Sequence, residues 1–561
     1  MRINLYIRRS FLFLMNIVLL AGCGKSGKNV ILPDRGNGGI NLPENFGAVV
    51  VVDTLGRGRH LAVNENGDVY VHLRRLNHEG KGIVAMRDTN GDGIADMLAG
   101  YSVVSGTGIK IHKGYLYYSD QTHVYRSRMT PGELMPATER DTIATLVDGV
   151  GHMEKTFTFD NQGNLYVNVG SKSNCCEEPL RTPNSRGPDP CIELETRAGI
   201  WMFGDSEAGQ VQQLDLRYAT GIRNAVALTW NFDVDRLFAL QHGRDDLHRY
   251  WPDLFTEEEN LELPSEIFFD LEKGDDMGWP YCYYDHIRQL KLLTPEFGGD
   301  GEMGERCANV KTPLLGFPGH WGPNDVLFYK GDLFPEKYKH GAFVAFHGSW
   351  NRLNHEQQGF NVIFIPMKEG KPSGNWEVFA DGFTGPVPVT NPNKAFFRPC
   401  GLAEGLDGSL YICDSQHGRV WRVLYYKDGI PQYIDRRLYQ PVDEEALVQA
   451  GTVSGPGKEV YTMYCQQCHM DNGRGAPGMN PPLVGTKMVN GDKSELIKII
   501  LNGFSQPVEI DGERYQNIMA SHAFLSDQQI ADVLTFIRND WGNSSGPVTP
   551  DEVTKVRAAN Q

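Results

Sequence analysis

Cys465-Gln466-Gln467-Cys468-His469 is a stretch of this sequence whose spacing prescribes a reaction. Two thiols separated by two residues can add to the vinyl groups of a haem, and the histidine that follows reaches the iron. The motif therefore marks covalent haem c attachment through Cys465 and Cys468, with His469 as an axial ligand. A zinc pair or a disulfide with a bystander histidine uses the same letters, but an exported chain with a small helical domain around the motif favours haem. A second set is His152, Arg398 and Arg59, each about ten residues ahead of the glycine of a recurring turn. If the turns belong to repeats around one axis, these positions converge. A histidine able to exchange protons near neutral pH would then sit among arginines that want an anion. The alternative is that the arginines pair with Asp or Glu across repeats and His152 caps a strand. A third set is Asp88, Asn90, Asp92 and Asp96 in DTNGDGIAD, oxygen-bearing side chains at alternating positions with glycine for the turn. It reads as a short structural calcium loop, without the Glu of an EF-hand, or as a plain Asp/Gly turn.

The elements that must position these residues show in the repeats. LAVNENGDVYVHL (61–73), FTFDNQGNLYVNV (157–169) and LAEGLDGSLYICD (402–414) each carry an apolar strand, a polar turn with Gly and an alternating strand containing Tyr, and 109–120, 226–240 and 326–346 are looser copies. Such units cannot bury their faces alone. The expectation is an all-β propeller of six blades over residues 45–430, with unequal spacing absorbed by long inserted loops. A proline-flanked linker (431–448) leads to a small all-α domain (449–545), closed by a helix that Ser526-Asp527-Gln528-Gln529 opens as a capping box, and then to a polar tail (546–561) expected to be loose.

At the N-terminus, Arg2, Arg8 and Arg9 precede an apolar run and then Leu20-Ala21-Gly22-Cys23, the pattern of a lipoprotein signal peptide (1–22) with lipidation at Cys23. Residues 23–44 are expected to be a tether. The chain is expected to be an exported, periplasm-facing lipoprotein; Gly24 offers no acidic retention signal, which favours the outer membrane. With lipid and haem cysteines set aside, Cys175, Cys176, Cys191, Cys282, Cys307, Cys400 and Cys413 remain, an odd set. Sequence order favours Cys282 with Cys307, Cys400 with Cys413, and Cys191 with Cys175 or Cys176. The net charge of -16, with no basic cluster, argues against a nucleic-acid partner and for a neutral or cationic small substrate.

Residues 449–545 resemble the small class I cytochromes c. That resemblance implies Met519, in the loop before the last helix, as the second axial ligand, chosen over Met470, Met479 and Met488, although Ala520 stands where proline is usual. Asn480-Pro481-Pro482-Leu483 looks like their proximal loop. His/Met ligation implies a haem that accepts electrons, hence a donor. Residues 45–430 resemble the pyrroloquinoline quinone (PQQ) dependent sugar dehydrogenases of the soluble glucose, sorbosone and pyranose group. The resemblance is carried by Gly151-His152, Gly221-Ile222-Arg223-Asn224, Gln241-His242-Gly243-Arg244-Asp245-Asp246, Gly278-Trp279-Pro280, HGSWNR at 347–352 and Arg398. It implies oxidation of a sugar at C1, with His152 taking the hydroxyl proton as hydride passes to the quinone, and an external electron acceptor beyond the haem. Arg223 and Asn224 would flank the quinone; Arg398, Arg352 and Arg59 would hold its carboxylates. A calcium ion would rest on the backbone oxygens of Gly243 and Arg244, although proline is usual at the latter. No clear equivalent exists of the lysine in the soluble glucose enzymes, which points to the sorbosone or pyranose branch. The rival reading is a propeller that binds a glycan or protein without PQQ, as in the Hedgehog-interacting relatives of this fold, with a cytochrome that serves a different donor.

Overall fold

The computed structural model describes residues 30–439 and 456–559, apart from 302–303, 353–354, 437, 471–472, 476–479, 505, 516–518 and 542. The chain divides into two compact units, Met1–Tyr439 and Gln440–Gln561. Cys23 and the signal-like segment lie outside the described residues, as does most of the expected linker.

The first unit is a propeller of six sheets, each of four antiparallel strands, one of them extended by a short parallel fifth. The first blade runs from Gly58–Val63 to Met97–Tyr101, and the third from Phe157–Phe159 to Arg217–Thr220. In the sixth, Pro399–Glu404, Leu410–Asp414 and Val420–Tyr425 are completed by the chain's early strand Phe46–Val52, paired from Phe46↔Tyr425 to Val50↔Trp421. The ring is thus closed by hydrogen bonds between its two ends. The recurring turn glycines Gly67, Gly163 and Gly408 have φ of 91°, 93° and 82°, a left-handed backbone that glycine adopts without steric cost. The strands bury side chains on both faces, as in Val69–Leu73, because each blade packs against two neighbours. Val51, Leu61, Val71, Tyr411 and Cys413 fill the seam between the sixth and first blades.

Both flanks of the propeller differ from expectation. Within the supposed tether, Asp34 is buried, accepts the backbone N–H of Val50 at 2.7 Å and pairs with Arg436. Ile40 enters the core, and the carbonyl of Gly38 receives Arg419 and Trp421. Residues 34–41, with Ile434, Arg436 and Tyr439, therefore brace the closing blade; the Gly and Asn content of 34–41 supplies tight turns rather than slack. Disulfides join Cys176 to Cys191 and Cys282 to Cys307. The expected Cys400–Cys413 bridge is absent: both are free, buried thiols. A register shift between Pro399 and Gly401 displaces Cys400 from its cross-strand place, and Gly401, not Cys400, lies opposite Cys413.

The second unit is helical: α1 (Pro456–Tyr464), α2 (Gln466–His469), α3 (Lys487–Asn490), α4 (Lys493–Asn502), α5 (Asp527–Asn539) and α6 (Pro550–Ala559), with one small hairpin, Val508–Ile510 with Glu513–Tyr515. Ser526 and Gln529 make the reciprocal capping box that opens α5. Ile530, Val533, Leu534 and Ile537 of α5 pack against Val460 and Tyr461 of α1. The two helices meet at Gly457, where a Cβ would stand 2.0 Å from the Asp532 carbonyl oxygen, so only glycine fits. The expected loose tail is instead α6, docked through buried Val553 and Val556 and an Arg557–Asp527 ion pair.

Candidate active site and haem pocket

Strand ends and loops from several blades meet in one electrostatic cluster. His347, at the end of Ala342–His347, has Arg398, Arg59, Arg74 and His242 as its ionisable neighbours. Glu154 lies between Arg74, at 3.6 Å, and Arg59, at 3.9 Å. Burial alone would raise the Glu154 carboxyl, but the two arginines outweigh it and hold the group at about 2. His152 and Asn224 come together over Gly170, where a Cβ would be 2.5 Å from His152 Cβ and 2.9 Å from Asn224 Oδ1.

A single serine sets the state of His152. Its Nδ1 lies 2.9 Å from the Ser171 carbonyl oxygen and 3.0 Å from Ser171 Oγ. Ser171 Oγ donates its own proton to the Ser173 carbonyl at 2.7 Å, so both Ser171 atoms need a donor from the ring. Nδ1 therefore carries the hydrogen and Nε2 the free lone pair. Burial, then the nearby Arg223, push the imidazolium down to about 3, leaving the ring neutral across the working pH range. Such a group accepts a proton at Nε2.

The arginines separate by their partners. Arg223 donates to the Asn174 carbonyl at 3.1 Å and pairs with Asp245 at 3.0 Å. Asp245 also receives Arg181 and Asn351, and these partners, against burial, hold it at about 2. Arg398 donates to the carbonyls of His347, at 3.0 Å, and Gly348, at 2.6 Å. Burial, then repulsion from Arg74, lower its pKa to about 9. The cluster thus sets Arg59, Arg74 and Arg398 against two carboxyl groups, Glu154 beside Arg59 and Arg74 and Asp414 beside Arg398, the latter raised by burial toward its neutral form; this leaves an excess of cation that attracts an anion. Arg352 is not brought into this set: it donates to the Leu261 and Glu356 carbonyls and pairs with Glu262 at 3.3 Å.

Arg244 forms a buried pair with Glu296 at 2.8 Å, and Gly243 donates its N–H to Glu266 at 3.0 Å. Burial raises the Glu266 carboxyl to about 8. Asp88 accepts the N–H groups of Gly91 and Gly93, Asn90 that of Asp92, Asp92 that of Ile94, and Asp96 the N–H and hydroxyl of Thr89. The loop is a turn capped by its own carboxylates. Among the described residues no three His, Cys, Asp or Glu side chains come together as a metal cage, so no chemical step is assigned to calcium at either place. The sequence motifs do not single out Arg74, Glu154, His242, Asp245 or His347 as site residues. Asp245, His242 and His347 lie inside the motifs already quoted, whereas Arg74 and Glu154 bear no local signal.

In the helical unit a largely apolar pocket is lined by Cys465, His469, Leu483, Ile500, Met488 and Met519. His469 Nδ1 donates to the Pro481 carbonyl at 2.9 Å, which leaves Nε2 free for a metal, and burial lowers its pKa, keeping it neutral. Met519 is fixed by reciprocal backbone hydrogen bonds with Phe504 at 3.0 and 2.8 Å. Met488 shares the lining, and Met479 lies outside the described residues. The chemistry of this lining, the Cys465 thiol, a directed imidazole and apolar walls, with the Cys468 thiol exposed three residues on, fits haem c.

The TrAA12-like family matches residues 40–426, and the cytochrome c family residues 454–541. The PQQ domain of pyranose dehydrogenase from Coprinopsis cinerea is 20% identical, covers 70% of this chain and 98% of its own, and superposes with a TM-score of 0.55. The calcium structure of Trichoderma reesei Carbohydrate-Active Enzymes Family AA12 is 17% identical over 71% of this chain and 100% of its own, at 0.57. At those identities the likeness speaks to the fold. Cytochrome c-552 of Thermus thermophilus is 37% identical over 122 residues, 20% of this chain and 78% of that protein. The cytochrome c subunit of the quinone alcohol dehydrogenase of Gluconacetobacter polyoxogenes is 32% identical over 149 residues, 26% of this chain; the match spans 32% of that subunit's length.

Proposed function

The chain belongs to the TrAA12-like family of PQQ-dependent sugar-dehydrogenase-like propellers and carries a cytochrome c domain, and on that premise we propose that it oxidises a sugar at C1 and passes the electrons to its own haem c. The observation that carries this reading is a surplus of cation at the site, with Arg59 buried, Arg398 half-buried and Arg74 reaching solvent. Arg59, Arg74 and Arg398 outnumber the carboxyl groups beside them, Glu154 and Asp414, and Arg398, lowered to about 9, spends its guanidinium on the carbonyls of His347 and Gly348. PQQ is a tricarboxylate of matching charge, and when bound it supplies a carbonyl carbon that takes hydride. Arg59, Arg74 and Arg398 would hold its carboxylates. Arg223 and Asn224, fixed by Asp245 and Asn168, would orient the reacting edge. His152 accepts the proton of the C1 hydroxyl at Nε2. His469 with Met519 or Met488 would hold the haem iron.

Export and lipidation at Cys23 belong to the same proposal, supported by the signal-like segment and by two disulfides suited to an oxidising compartment. The external acceptor would be a further cytochrome or respiratory component. The test is an anaerobic spectrum of the protein reconstituted with PQQ and calcium, read at the haem bands as aldoses are added. Haem reduction that needs both sugar and PQQ is the expected result. Oxidised haem together with no PQQ binding would overturn it in favour of a propeller that binds a glycan or protein.

A further inference from the structure

Trp350 breaks the burial pattern of its own segment. Ser349 and Asn351 are 0% and 7% exposed and Arg352 is 3% exposed, yet the indole between them is 54% exposed. A single exposed apolar side chain needs no explanation by itself. What distinguishes this one is how rigidly its backbone is held, and by what. Upstream, the Gly348 carbonyl accepts Arg398 at 2.6 Å. Gly348 itself has φ of 89° and approaches Phe360 so closely that a Cβ would lie 2.3 Å from its ring. Ser349 is tied twice to the segment that follows, its hydroxyl donating to Gln357 Oε1 at 2.9 Å and its N–H to the Gln358 carbonyl at 2.8 Å. Downstream, Asn351 donates to Asp245 at 2.9 Å, the carboxylate that also holds Arg223. Arg352 is locked against Leu261 and Glu262. The two sides of the candidate site, Arg398 on one and the Asp245–Arg223 pair on the other, are thus spanned by a stretch whose one uncovered side chain is a tryptophan.

We propose that Trp350 is the stacking platform that selects a cyclic sugar, receiving the C–H face of a pyranose ring opposite the one that carries the C1 hydrogen. The inference rests on the proposed function, in which the propeller's small-molecule ligand is a sugar. An indole face carries a negative quadrupole and a large flat apolar area, which complements the slightly positive C–H face of a pyranose while the ring hydroxyls point outward to polar partners. An acyclic polyol presents no such face. Because the backbone on both sides is already ordered, holding the indole in place adds little conformational cost when the sugar binds. Trp350 touches substrate but no reacting atom, so its contribution is equal in the bound and reacting states and shows in KM rather than kcat.

The experiment compares the full-length protein with Trp350→Ala and Trp350→Phe, the haem reduced so that it is diamagnetic. Saturation-transfer NMR uses methyl β-D-glucopyranoside and sorbitol as probes. The parent should transfer saturation most strongly to the axial H2 and H4 of the pyranoside, on the face away from the C1 hydrogen, and weakly to sorbitol. Trp350→Ala should lose at least about fivefold of the pyranoside signal, and Trp350→Phe should keep most of it. In turnover with PQQ and calcium, Trp350→Ala should raise KM for a pyranose about tenfold and change kcat by less than about twofold. Equal transfer to sorbitol and pyranoside, or an undiminished signal in Trp350→Ala with all variants folded, would overturn the proposal. The NMR comparison does not need PQQ, so a protein that binds the pyranoside through Trp350 but never reduces its haem would contradict the dehydrogenase reading while leaving this one standing.

Discussion

His152 owes its expected role to Ser171, whose carbonyl and hydroxyl both require a donor at Nδ1 and so expose the lone pair of Nε2. Removing that base by His152→Ala should slow sugar-dependent haem reduction by about 10²- to 10⁴-fold in an anaerobic stopped-flow trace, with the haem spectrum and PQQ affinity retained. Arg398 invites the opposite kind of test. Its folded pKa, lowered to about 9, lies below the ordinary guanidinium value, so the fold disfavours its charge and gains no stability from it without a bound anion. Arg398→Gln, which can still donate to the Gly348 carbonyl, should leave the melting temperature of the cofactor-free protein within about 2 °C of the parent or above it. The same substitution should weaken PQQ binding about tenfold or more, read by titration of the quinone absorbance. Position in the repeat makes His152 and Arg398 legible in the amino-acid sequence itself. Arg352 sits in an equally suggestive motif, yet its guanidinium is taken up by the nearby Glu356 carbonyl and by Leu261 and Glu262, the latter two set by a remote segment that no local pattern encodes.

Elements are legible where a short-range rule settles them. The glycine turns announce the blades because only a left-handed residue closes each strand pair there, and Ser526 with Gln529 announces α5. The same rule applies at Thr549-Pro550-Asp551-Glu552, where Glu552 accepts the Thr549 N–H at 2.7 Å and Thr549 Oγ1 accepts that of Glu552 at 3.3 Å. That box opens α6, which the polar composition of the tail conceals. Val553→Ala should therefore destabilise the cytochrome unit by about 2 kcal/mol, from lost burial plus a small cavity, while Thr549→Ala costs about 1 kcal/mol for the cap. Thermal loss of the native haem spectrum measures both, and no effect of Val553→Ala would mean that α6 is not docked in solution. Residues 34–41 and Cys400 depart from expectation for one reason: what they do is set by partners hundreds of residues away, as in Asp34 with Arg436, or by a strand irregularity at Cys400 that breaks the period-two pattern.

At the scale of the whole molecule, converging blade ends concentrate ionisable groups in a region where water is scarce, and this makes stability depend on pH. Burial lowers His152 to about 3 and His72 and His242 to about 4, and lowers His60, His320 and His347 as well. In the unfolded chain these rings take up protons near pH 6.5; in the native propeller they refuse them. As pH falls below about 6.5 the unfolded state binds more protons, and stability drops by about 1.4 kcal/mol per pH unit for each such histidine until its folded pKa is reached. Glu154, Asp205 and Asp245, held at about 2, add to the loss below about pH 4.5. Glu266, raised to about 8, works the other way: it is protonated in the native state between about pH 4.5 and 8, and so gives stability as pH falls through that window. Burial raises Asp246, Glu404 and Asp414 as well, in the same sense as Glu266, but those six histidines lowered by burial outnumber these carboxyls, so the net slope between pH 6.5 and 4.5 is a loss. The urea midpoint of the cofactor-free propeller, followed by tryptophan fluorescence, should fall steadily from pH 7 to pH 5. PQQ should reduce that slope, because a bound tricarboxylate beside Arg59, Arg74 and Arg398 favours the protonated form of His152 and His347 in the native state. A midpoint unchanged between pH 7 and 5 would mean that these histidines are hydrated, and with them the site in which a dry, neutral His152 serves as the base.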